Sequence, residues 1–254
     1  MARGSALDEL PQGLPPGRLV APDPDYFDDP TWSRDVLWVS DGSVPDAAAR
    51  WLRLYEARAE TGLHPLLLDT LDGEPERPWR AGELSPAPVG TIDVLSADGV
   101  LRRFWDDVAL PEDGDWPGLA EAGESARDAD DAARSLAESL AGDRDWSLGL
   151  VPAGRGADAL ALAGWDGPCN HTNHTQEISA VLRSWEDRFG ARVVAVGFAT
   201  LMVSVAAPPV TAEHAVRVAA EHFAFCPDNW VDHSTLEDYA ETILKADHWS
   251  FWWD

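Results

Sequence analysis

His222-Phe223-Ala224-Phe225-Cys226-Pro227-Asp228-Asn229-Trp230, followed after a helical stretch by Trp249-Ser250-Phe251-Trp252-Trp253-Asp254, sets the organisation of the chain. The two segments bring a cysteine, two carboxylates and four tryptophans close together in sequence. So aromatic a run has to be buried, because exposed it would be an aggregation hazard. Trp249, Phe251 and Trp253 alternate with Ser250 and Trp252, so a closing strand sends the first three to one face. Trp252 leaves the other face aromatic as well, which predicts cover on both sides. Cys-Pro-Asp-Asn is a strong turn sequence, and the closing strand is expected to lie beside it.

Working outward, Thr211 caps a helix that buries Ala212, Ala215, Val216, Ala219 and Phe223. Ser234-Thr235-Leu236-Glu237 reads as a capping box for a last helix burying Leu236, Tyr239, Ala240, Ile243 and Leu244. Upstream, Trp146–Val151 is a strand and Ala157–Ala163 a short helix or turn. Asn173 and Gln176 read as a capping pair for a helix with Ile178, Val181, Leu182, Trp185 and Phe189 on one face. Val193–Phe198 and Leu201–Ala206 form a hairpin. The order β-α-β-β-α-α-β predicts an α+β layer sandwich, its helices on one face of a mainly antiparallel sheet.

The N-terminal half reads as a smaller α/β-type region. Residues 1–31 form an extended lead-in, and Val36–Val39 a strand. A helix opening at Ser43 and Pro45 carries Ala48, Trp51, Leu52, Tyr55 and Ala59 and stops at Gly62. Leu66–Leu68 is a buried strand, 72–90 a proline-rich loop and Thr91–Leu95 a further strand. Asp98 caps a helix through Leu101, Phe104, Trp105 and Val108. The acidic, Gly- and Ala-rich segment 111–145 reads as a linker with one exposed helix near Ala126–Leu140. The expected partition is therefore 1–110, a linker at 111–145, and a C-terminal domain at 146–254 able to fold by itself.

Charge bounds the function. The 254 residues carry 19 basic and 45 acidic side chains, a net charge of −26. Such a chain repels phosphate backbones and anionic lipid, so neither nucleic acid nor membrane is an expected partner. There is no apolar run of membrane-spanning length and no signal-peptide pattern. Two cysteines far apart point to reduced thiols, hence a cytoplasmic location.

The run Glu177-Ile178-Ser179-Ala180-Val181-Leu182-Arg183-Ser184-Trp185-Glu186, with Phe189-Gly190-Ala191, Phe225-Cys226-Pro227-Asp228 and Phe251-Trp252-Trp253-Asp254, resembles a bacterial family known as domain of unknown function 4253. The resemblance covers about residues 145–254 and implies no activity, cofactor or catalytic residue.

Four constellations remain. Cys169, His171, His174 and Cys226, with His222, Asp228 and His233 as further donors, supply zinc-type ligands, but their spacing matches no common site. Cys226 with His222 or His233 and with Asp228 has the composition of a nucleophile–base–orienter set. Against it, a cysteine after a helix C-terminus has its thiol pKa raised, not lowered. Asp228 and Asp254 offer acid–base chemistry, or simple capping. Trp116 and Trp230 lie in polar, turn-rich contexts and, with Asn229 and His233, form the candidate partner surface. The resulting expectation is a non-catalytic module binding a basic protein partner or a small ligand, with no cofactor. The alternative is a small hydrolase or metal-dependent enzyme using Cys226, His222 and Asp228.

Overall fold

Burial of alternating side chains on both faces of a strand requires cover on both sides, and the central strands of this sheet have it. The computed structural model describes residues 5–125, 127–142 and 144–254. Seven strands, β1 (Gly17–Val20), β2 (Leu37–Ser40), β3 (Leu63–Leu68), β4 (Ser147–Pro152), β5 (Arg192–Val196), β6 (Thr200–Ser204) and β7 (His248–Trp252), form one open sheet in the order β1-β2-β4-β3-β5-β6-β7. Every pairing is antiparallel except β3 with β5, which is parallel. The fold is α+β with a mainly antiparallel sheet, as the sequence predicts.

The helices are α1 (Ala47–Thr61), α2 (Val89–Asp93), α3 (Ala97–Val108), α4 (Ala129–Ser139), α5 (Ala159–Ala163), α6 (Thr175–Phe189), α7 (Ala212–Phe225) and α8 (Leu236–Ile243). Leu66 and Leu68 of β3 join a core built with α3, α5, α6, α7 and α8. Leu63 and Leu67 of the same strand join a second core with Trp51 and Tyr55 of α1 and Ala133, Leu136 and Ala137 of α4. The helices after residue 146 thus share one face, as expected, and α1 and α4 cover the other.

Several local expectations are corrected. Thr91–Leu95 is not a strand: residues 89–93 form α2, which buries only Ile92, against Ala161 and Ala180. A single apolar anchor, Ile92, on a short helix takes the place of the expected β-branched strand. The helix expected near Ala126–Leu140 exists as α4, but its Ala132, Ala133 and Ala137 are fully buried; Ala126 itself lies outside the described residues. The lead-in contains the edge strand β1, of which only Val20 is buried. Ser96, not Asp98, caps α3. Thr235 caps α8, one residue later than expected. Asn173 does not cap α6; Thr172 instead receives the His174 N–H and bonds Glu177.

The expected regions 1–110 and 146–254 contribute interleaved strands. β3 sits between β4 and β5, hydrogen-bonded to both, and α4 from the 111–145 segment covers β5. We therefore expect residues 140–254 expressed alone to give no cooperative thermal transition, and co-expression with residues 1–139 to restore it. A sharp melt of the isolated fragment would overturn this.

Candidate functional site

The residues singled out by sequence gather where α7 ends. Thr211 caps this helix by accepting the His214 N–H at 3.3 Å. Pro227 disfavours helical geometry in the residue before it, and Cys226 accordingly leaves the helix at φ −145°. Residues Pro227–Trp230 then form a 3-10 turn, which lies along the outer edge of β7.

That edge is closed by side chains. The Asn229 amide copies a strand neighbour: its Oδ1 accepts the Trp252 N–H at 3.0 Å, and its Nδ2 donates to the Ser250 carbonyl at 2.8 Å. The Cys226 thiol donates to the Trp252 carbonyl at 3.0 Å. Asp228 accepts the Asp254 N–H at 3.1 Å, and Asn170 donates to the Asp254 carbonyl at 2.5 Å. Behind the edge, Trp249, Phe251 and Trp253 are buried against Trp185 and Phe225, with Trp165 edge-on to Trp253. The expectation that the closing strand lies beside the Cys-Pro-Asp turn is met. Trp252 departs from it: its side chain stands 45% exposed, because no cover reaches that face of β7.

The structure therefore brings Cys226, Asp228, Asn229 and Asp254 together, with His222 reaching Asn229 only through the Tyr239 hydroxyl. His222 is fully buried among Trp185, Trp249, Phe251 and Tyr239, with Nδ1 3.0 Å from the Tyr239 hydroxyl and no partner for Nε2. Burial, reinforced by the Arg188 charge, pushes its pKa down to about 3. Burial pushes the Cys226 thiol up to about 12. A nucleophile needs the thiolate and a general base works best near the operating pH, so both groups are set the wrong way for catalysis near neutrality. His233 lies beside Trp230, Tyr239 and Asp238. Trp230 is half-buried between Phe223 and Tyr239.

Trp116, expected at the surface, is buried, its indole donating to Asp98 at 2.9 Å. Cys169 and His174 are exposed and His171 packs on Phe104. Among the described residues no three His, Cys, Asp or Glu side chains are placed to hold a metal ion.

Glu221 was missed by the sequence reading. It is fully buried, and its carboxylate accepts from Arg188 Nη1 and Nη2, Trp185 Nε1 and the Ala120 N–H, all at 2.7 Å. This bidentate, fully satisfied arrangement offsets the cost of a buried charge. The signal was present, since Glu221 is the only charged residue between Arg217 and Asp228.

These elements, from β4 to β7, coincide with a known sequence family. Residues 147–254 match the model of the family described as Domain of unknown function (DUF4253). The DUF4253 segment includes Trp185, Arg188, Glu221, the Cys226–Asn229 turn and β7, but not β3, which its own strands enclose. No curated protein and no solved structure gives a significant match to the chain. No helix among the described residues is long and apolar enough to cross a membrane.

Three outcomes follow from these protonation states and bonds. In the native protein a disulfide reagent near pH 8 should titrate Cys169 alone, with Cys226 reacting only in denaturant; Asn229→Ala should cost about 1–3 kcal/mol by leaving backbone groups unpaired, read in urea melts. His222, neutral in the fold, titrates near its ordinary 6.5 once unfolded, so the unfolded state binds more protons below that pH. Stability should fall as pH drops from 6.5 towards 3, by on the order of 1 kcal/mol per pH unit. A His222→Phe variant should lose less over the same span.

Proposed function

We propose that this protein is a non-catalytic interaction module that docks a Lys- or Arg-bearing segment of a protein partner on the outer face of β6 and β7. The observation that carries the reading is Trp252, the one exposed tryptophan among thirteen. Across the strand pair it stands beside Thr200, with the half-buried Met202 next along the same face. Trp and Met are favoured anchors at interfaces. Asp228 and Asp254 sit at the C-terminal end of β7, where Asp228 accepts the Asp254 N–H, and a cation held near both an indole and carboxylates gains from charge and ring quadrupole. The overall charge of −26 favours association with a basic protein and disfavours anionic ones.

The reading is supported further by how the catalytic-type residues are used. Cys226 and Asn229 are spent on the edge of β7, and His222 sits inside the aromatic core. Trp252→Ala should leave the protein folded, because the side chain lies outside the buried core and is 45% exposed, yet abolish partner capture. The test is affinity capture with wild-type and Trp252→Ala protein, identification of what the variant loses, and measurement of its association rate against salt. A partner that binds both proteins equally, or whose association ignores salt, would overturn the proposal. Hydrolytic turnover abolished by Cys226→Ala would replace it with the enzyme reading.

A further inference from the structure

We propose that a cavity between the N-terminal segment and α1, far in sequence from the DUF4253 segment's turn, binds a small carboxylate with a compact apolar body. The cavity, about 210 Å³, lies between residues 11–15 and the outer turns of α1. Leu14, Leu54, Ala57 and Leu148 of β4 give it apolar lining, and Arg50 and Arg53 also line it. Arg50 and Arg53 are three apart on a helix, so their side chains are neighbours.

Charge makes these two arginines unusual. Acidic side chains outnumber basic ones 45 to 19, and most arginines among the described residues are ion-paired with a carboxylate. Among the described residues Arg50 and Arg53 form no such pair. Arg50 Nη1 donates to the Gly13 carbonyl at 3.2 Å, which ties the segment to the helix. Its Nε is buried without an acceptor. A buried donor left unmade carries a free-energy cost, and the acceptor this site lacks is an anion. Carboxylate geometry matches the guanidinium fork, and the leucine and alanine surfaces take an apolar body.

The cavity is smaller than the roughly 300–1,000 Å³ typical of drug-sized ligands, so the ligand is a short aliphatic or single-ring acid, not a peptide strand. The site is independent of the Trp252 surface and stands or falls separately from it.

Benzoate and hexanoate serve as probes, with benzyl alcohol and hexanol as neutral counterparts, in ligand-observed NMR titrations of the full chain. Saturable binding of at least one acid, with the alcohols binding more weakly, is the expected result. Arg53→Gln should weaken it by about tenfold, the scale of one charge-assisted hydrogen bond, and Arg50→Gln by at least as much. Arg217→Gln, another arginine without a carboxylate partner but bonded to the Pro117 and Leu119 carbonyls, should leave the affinity unchanged. Arg53 is exposed, so its variant keeps the test valid if Arg50→Gln fails to fold. No saturable binding by either acid, equal binding of the alcohols, or an affinity indifferent to Arg53→Gln would overturn the proposal.

Discussion

The seating of β3 between β4 and β5 is the constraint on which the rest of the molecule depends. All six residues of Leu63–Leu68 are buried, so the strand needs hydrogen-bonding partners on both edges and apolar cover on both faces. The edges come from strands beyond residue 146, and the faces from α1 and α4 on one side and the α6–α7 layer on the other. His64, inside this strand, is itself buried and held neutral, its pKa pushed down to about 4 by burial. Glu221 does for the helical layer what β3 does for the sheet. By binding Arg188, Trp185 and the Ala120 N–H together, it anchors the acidic 111–145 segment to two helices of the DUF4253 segment.

At the far edge the fold meets a different problem. An edge strand exposes unpaired N–H and C=O groups that invite another strand. Here Asn229 and Cys226 satisfy them from the side, and three aromatic rings behind the edge add burial at roughly 25 cal/mol per Å². Several buried rings are comparable with the whole stability margin of a domain, about 5–15 kcal/mol. This explains how a chain segment holding a Cys, a His and two Asp can be rich in reactive types and still be built for packing. A buried thiol with a raised pKa and a buried neutral imidazole are consequences of that packing.

Much of this was legible in sequence because periodicity reports burial directly. The apolar faces of α1, α6, α7 and α8 and the β5–β6 hairpin follow from spacing alone, and the alternation of Trp249, Phe251 and Trp253 named the buried face of β7. What spacing could not report was how elements distant in the chain pair. β1 has one buried residue in four and looks like loop. The Ala-rich α4 looks solvated until a sheet is placed beneath it. Trp116 sits among Gly, Asp and Pro, which read as surface, yet its indole meets Asp98. Trp252 looked covered because both faces of its strand are aromatic, whereas no element reaches the outer one. At the site, the convergence of Cys226, Asp228, Asn229 and Asp254 was foreseeable from the turn. The withdrawal of His222 into the core was not, since a histidine in the last turn of a helix reads as a cation suited to the helix dipole.

The interleaved sheet also orders events during synthesis. β3 is complete at residue 68, but its two neighbours begin at residues 147 and 192. Through translation of everything between, the Leu66-Leu67-Leu68 segment leaves the ribosome with no strand to join, and unpaired apolar strands are the segments through which nascent chains associate. The same stretch of chain carries most of the negative charge: residues 1–145 hold 13 basic and 31 acidic side chains, against 6 and 14 in the remainder. Like-charged nascent chains repel one another. The acidity of the N-terminal half thus acts as a built-in solubiliser for a strand that must wait for its partners.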